Sequence, residues 1–179
     1  MKVFLSPVNL SDSLTKLISD KLSVFLREKP DLIHLSFDTE SLFFPERNQY
    51  YSTAFLKQAL DKTEAFDGKV IILTNLDLFV PVLTFVFGEA QLNGKHSIVS
   101  LCRLYEEFYA NEGNEELLIN RAAKEILHEL GHNLGLLHCI DWDCVMHSSN
   151  SIEEVDIKGD FYCKDCLEKI SKFDIAKLI

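Results

Sequence analysis

Between Glu125 and Ser149 the chain reads EILHELGHNLGLLHCIDWDCVMHSS. His128 and His132 stand four residues apart, so on a helix both project from one face. Two imidazoles one turn apart can hold a single zinc ion at about 2.0–2.1 Å each. Glu129 follows the first of them. From there a carboxylate can lie beside a zinc-bound water and accept its proton without itself ligating. Gly135 allows the helix to stop in a left-handed turn, and the returning chain brings His138 to a third ligand position. Three protein ligands leave one place open, the catalytic arrangement rather than the closed structural one. Helix histidines without metal are the plainer alternative. Against it, the full spacing H-E-x-x-H-x-x-G-x-x-H is far more demanding than the short motif. Half of the chain's six histidines also fall between 128 and 138.

A second group follows at once. Cys139, Cys144, Cys163 and Cys166 form C-x4-C and C-x2-C pairs separated by a loop, a pattern that suits tetrahedral thiolate zinc. The C-x2-C pair opens a predicted helix, where the positive helix end favours thiolates. Disulfides are the alternative reading, and an iron–sulfur cluster is a weaker one. Cys102 is expected to be a buried strand thiol.

These residues need elements to position them. The first half alternates predicted strands and helices: strand 2–8, helix 12–28 capped by Ser11 or Asp12 and closed by Pro30, and strand 31–37. Helix 48–64 and the wholly apolar strand 69–74 follow. This order implies a largely parallel sheet with strand 69–74 at its centre. Residues 83–90 and 96–104 read as two strands joined by an Asn93-Gly94 turn, a hairpin at the sheet edge. A long helix is predicted over 114–134, with Asn114 as N-cap and Ile126, Leu127, Leu130 and Leu134 on its apolar line. After Gly135 the pattern is irregular until a last helix, 164–178. The fold class is α/β (α+β), a mixed sheet with helices, in one domain.

Composition bounds the partners. The chain has 179 residues, 47% of them hydrophobic, enough for one buried core. A formal charge of −10 argues against nucleic acid and anionic membrane surfaces. No apolar run reaches spanning length, and the N-terminus lacks the features of a signal peptide. A cytoplasmic location is expected.

With its third histidine followed directly by a cysteine, then by Cys144, Met146, Cys163 and Cys166, the chain resembles the archaemetzincins, a branch of the metzincin zinc proteases. Residues 77–81 and 85–90 are similar to the family as well. The resemblance implies a metzincin-like fold with a twisted five-stranded mixed sheet. An upper part, 1–135, carries the motif helix, and a smaller lower part, 136–179, carries the C-terminal helix. It implies catalytic zinc on His128, His132 and His138, with Glu129 as general base. It also implies a structural zinc on Cys139, Cys144, Cys163 and Cys166, and Met146 as a hydrophobic floor. An edge strand, here 85–90, would hold an extended peptide by main-chain hydrogen bonds. Ser148, Ser149 and Asn150 would border the pocket for the residue after the scissile bond. Ser148 stands where some metzincins have a tyrosine. His147 is expected to shape the turn or face solvent, and His34 and His96 to be ordinary strand or turn residues. The two zinc sites would nearly cancel in charge, so a mild bias toward neutral or basic peptides is expected.

A zinc metallopeptidase is therefore the leading reading, because a scaffold that only held zinc would need no base at Glu129. The alternative is a zinc-stabilised peptide-binding module with little or no hydrolysis, its cleft blocked, for example by residues 77–84. A thiol redox switch on the four cysteines is the weakest reading.

Overall fold

The computed structural model describes residues 1–173. Its main sheet contains β1 (Val3–Val8), β2 (Asp31–Leu32), β5 (Lys69–Thr74), β7 (Gly88–Ala90) and β8 (His96–Ser100), in the spatial order β2-β1-β5-β8-β7. Neighbours run parallel except β7, which lies antiparallel to β8 on the edge. This is the expected five-stranded mixed sheet, with β5 in the middle.

Alternation along the strands sorts the core into two layers. Leu5, Ile71, Leu73 and Val99 pack with Ile18 and Leu22 of α1 (Asp12–Leu22) and with Ala122, Ile126 and Leu130 of α3 (Glu115–Asn133). Val8, Ile72 and Ile98 point to the other face, against Phe55, Leu56 and Ala59 of α2 (Ser52–Lys62). Asn114 caps α3 as expected: its side chain accepts from Leu117 N at 3.0 Å. Ser11 likewise caps α1.

Several boundaries differ from the sequence reading. The first helix stops at Leu22 rather than residue 28. Its last turn tightens, with Val24 N donating to Lys21 O and Phe25 N to Leu22 O. The chain then swings to Pro30, whose carbonyl accepts from Ser19 Oγ at 2.8 Å. Only two residues of the expected strand 31–37 pair. The predicted helix 48–64 begins as a strand, β4 (Gln49–Tyr51). That strand joins β3 (Phe43–Phe44) and β6 (Leu78–Phe79) in a second, three-stranded sheet. Aromatic pairing explains the switch: Tyr50 meets Phe43 at 5.1 Å and Tyr51 meets Phe79 at 5.6 Å. The strand expected over 83–90 pairs with β8 only from Gly88. The one expected to run to residue 104 ends at Ser100, and Cys102 sits half-buried on a 3-10 turn, not in a strand.

Beyond α3 the chain forms α4 (Ile152–Ile157), which the sequence reading did not foresee, and α5 (Lys164–Ile170). A 3-10 turn, Ser171–Phe173, follows, and the rest of the predicted last helix lies outside the described residues. Among the described residues no helix is long and apolar enough to cross a membrane.

Candidate active site

The C-terminal end of α3 builds the site. Gly135 has φ +95°, the left-handed region open to glycine. Leu136 N bonds Gly131 O, and Gly135 N bonds His132 O, both at 2.9 Å. These are the two bonds of a Schellman stop, and they turn the chain back along the helix. His138 returns to the helix face, with its ring 5.3 Å from that of His128 and 5.0 Å from that of His132. One ligand atom from each histidine lies within 4.8 Å of the others.

Each helix imidazole is fixed from behind. His128 Nδ1 meets Val145 O, and His132 Nδ1 meets Leu136 O, both at 2.8 Å. Donation to these carbonyls leaves both Nε2 atoms as acceptors, and they face each other at 3.1 Å. Burial, with the nearby Lys158 adding to it, pushes His128 well below the ordinary histidine range. Burial also lowers His132 and His138. Neutral, oriented imidazoles with free Nε2 atoms fit a divalent metal. Glu129 is buried beside them. Burial, reinforced by Glu125 and opposed by Lys158, raises its carboxyl well above the usual range.

Glycines make room for this packing. A Cβ on Gly131 would overlap Met146 Sδ, so the fully buried Met146 lies tight beneath the helix turn that carries His132. Tyr162 OH donates to Leu127 O at 2.6 Å on the same side. A Cβ on Gly88 would come within 2.6 Å of Glu129 Oε1, so β7 runs directly past that carboxylate. The cleft is about 720 Å³ in volume and is lined by residues 83–90 on one side. From α3 it takes Glu125, His128, Glu129 and His132, and opposite lie His138 and Ser148, Ser149 and Asn150. Residues 83 and 84 thus border the cleft rather than fill it. Arg47 holds them back, its guanidinium donating to the Leu83 and Thr84 carbonyls at 2.8 and 2.9 Å.

The four cysteines also converge. One Sγ from each of Cys139, Cys144, Cys163 and Cys166 lies within 4.8 Å of the others. Cys144 and Cys166 are buried, Cys139 and Cys163 half-buried, and all four are free thiols. Burial pushes the Cys144 thiol up to about 11, so a cation is needed to hold thiolates there near neutrality. The donor set fits zinc.

The remaining histidines separate by role. His147 Nδ1 meets Cys139 O at 3.0 Å, and Trp142 stacks on its ring at 4.0 Å, so it shapes the turn. His34 is exposed, 3.7 Å from Asp12. His96 is buried between Thr63 and Gln91.

Sequence reasoning missed Glu125, Gly88 and Lys158. Glu125 had a signal, since it shares the helix stripe of Glu129 one turn earlier. Lys158 Nζ, 2.7 Å from Glu125 Oε1 and only 1% exposed, had none.

Zinc metallopeptidases are the class to which a cleft walled by a sheet edge and floored by a ligand-bearing helix corresponds. The chain belongs to Peptidase family M54, whose model matches residues 37–172. It is 39% identical over 171 residues to the archaemetzincin of Methanocaldococcus jannaschii, covering 95% of this chain and 93% of that one. To the archaemetzincin of Pyrococcus horikoshii it is 44% identical over 131 residues, 73% of this chain and 70% of that one. The crystal structure of the Archaeoglobus fulgidus archaemetzincin, complexed with malonate, superposes with a TM-score of 0.79 at 30% identity. That match covers 95% of this chain and all (100%) of that one.

Proposed function

We propose that this zinc metallopeptidase hydrolyses peptide bonds with Glu129 as general base and His128, His132 and His138 as the ligands of its catalytic zinc. The observation that carries the reading is the pair of Nδ1–carbonyl bonds, which leaves both Nε2 atoms facing one point beside Glu129. Zinc bound there would polarise the substrate carbonyl and acidify a water. Glu129 accepts that water's proton as its oxygen attacks the carbonyl carbon. It then passes the proton to the amide nitrogen as the C–N bond breaks, giving a carboxylate and an amine. The edge of β7 holds the peptide extended beside α3 by main-chain hydrogen bonds. Met146 supports the ligand helix from beneath. A second zinc on Cys139, Cys144, Cys163 and Cys166 pins α5 to the segment just after His138, within the lower part, 136–179. We place the enzyme in the cytosol, where four thiols stay reduced, as a monomer acting on peptides.

The binding-module reading requires an obstructed cleft, and the tethering of residues 83 and 84 by Arg47 speaks against it. Glu129→Gln separates the two. Turnover of a peptide library should fall about 10²–10⁴-fold while metal content per chain stays constant. Retained turnover would overturn the assignment of the base.

A further inference from the structure

The strand that walls the cleft is short. β7 pairs with β8 through Gly88 with Val99, Glu89 with Ile98 and Ala90 with Ser97, and it stands at the edge of the sheet. An edge hairpin of that length is marginal by itself. Side chains from other elements fasten both ends of the segment. Arg47 takes the carbonyls of Leu83 and Thr84. At the other end stands Asn133, the last residue of α3, 1% exposed and next in the chain to His132. Its Nδ2 donates to Gln91 O at 3.0 Å, just past β7, and to His96 O at 2.9 Å, at the start of β8.

Those two carbonyls are satisfied without Asn133. Gly94 N already donates to Gln91 O at 2.8 Å, and Gln91 N to His96 O at 3.0 Å, so the turn closes on itself. The buried Oδ1 of Asn133 has no hydrogen-bond partner among the described residues, a cost that a leucine of the same shape would not carry. What the amide adds is a tie between the β7–β8 turn and the ligand helix. Further bonds run beside it. Asn93 N donates to His132 O at 3.0 Å, and Lys69 Nζ donates to Gly94 O at 2.6 Å and to Asn133 O at 2.8 Å. Gly88 of the same strand passes against Glu129.

We infer that Asn133 is a positioning residue: its amide sets how far the β7 edge stands from α3, and so the width of the cleft at its His132 end. The inference rests on the reading above that β7 holds the peptide. Asn133 acts through the strand and not on the substrate. Main-chain hydrogen bonds from β7 and a bond to the metal can form together only when strand and helix are correctly spaced. A leucine methyl needs about 3.5–4.0 Å where the amide nitrogen takes 2.9–3.0 Å. Asn133→Leu therefore releases the turn and moves it outward, yet leaves neither carbonyl unpaired.

The test uses the full zinc-loaded chain and two probes, with affinities measured by calorimetry. Acetohydroxamate binds the metal alone. A hexapeptide with a phosphinate in place of its central amide also lies along β7 on both sides of the metal. Asn133→Leu should weaken the phosphinic peptide at least about tenfold, hold acetohydroxamate within about twofold of native, and leave zinc content unchanged. If Asn133→Leu does not fold, Asn133→Ala removes the donors without the bulk and carries the same expectation. Native peptide affinity in a folded variant, whatever its thermal midpoint, would overturn the inference and leave Asn133 a packing residue. Equal weakening of both probes, or loss of zinc, would also overturn it, because the effect then runs through His132 rather than the strand. In the native chain, a phosphinic peptide that binds no better than acetohydroxamate would overturn the peptide-holding role of β7 and this inference with it. Binding needs no turnover, so a native chain that binds the phosphinic peptide but cleaves no peptide would overturn hydrolysis alone.

Discussion

Gly88 has no side chain, and Glu129 uses the space. A Cβ there would meet three atoms of that side chain, the closest being Oε1 at 2.6 Å. Glycine in a strand otherwise costs about 0.5–1 kcal/mol relative to alanine. Gly88→Ala should therefore leave the thermal midpoint level or slightly raised while pushing the carboxylate off its line. We expect kcat/KM to fall at least about tenfold at unchanged metal content, read by peptide kinetics and elemental analysis. A variant with native kinetics would show that the carboxylate tolerates displacement. At this scale the histidines were legible because ligand spacing on a helix is periodic and local. Gly88 and Lys158 were not: their partners, Glu129 and Glu125, are distant in sequence, and only the folded sheet edge and α4 bring them together.

Elements were legible in proportion to their length and the purity of their pattern. The apolar run of β5 and the capped 19-residue α3 were read within a residue or so. The second sheet was not, because strands of two or three residues leave no periodicity. The six-residue α4 escaped for the same reason. His96 was read as ordinary, yet it links elements. Its ring opens β8, contacts Thr63 just after α2, and meets Gln91 after β7 at 3.0 Å. Burial lowers its pKa, and the neighbouring Lys95 and Lys69 lower it further. The folded state therefore binds its proton less readily than the unfolded chain does. The stability this contributes is full above the unfolded value of about 6.5 and is lost as pH falls through it. Thermal midpoints measured from pH 7.5 down to 5.5 should fall less steeply in His96→Gln than in the native chain. Parallel slopes would remove His96 from the account.

At the scale of the whole molecule, the two candidate metal sites meet at one peptide bond, His138–Cys139. Cys139 N donates to Met146 O at 2.9 Å and its carbonyl takes His147 Nδ1, so the segment between the sites is braced. The thiolate cluster joins this segment to α5, while Arg121 binds Asp156 at 2.6 Å and so ties α3 to α4. Fixing the cysteines thus fixes where His138 can stand. Such coupling is reciprocal: whatever factor one zinc lends the other, the other returns. Occupancies need not respond alike, because closed thiolate sites bind zinc with about 10–16 kcal/mol and can lose some of it while staying full. Cys163→Ser should therefore lower the thermal midpoint and also weaken zinc at the histidines by about 10–100-fold, the usual cost of losing an outer support. His132→Ala should release one zinc and leave the thiolate site filled. Competitive chelator titrations of both variants read these affinities directly. If the histidine site of Cys163→Ser holds zinc as tightly as in the native chain, the shared peptide bond transmits nothing, and the cysteine cluster serves the lower part alone.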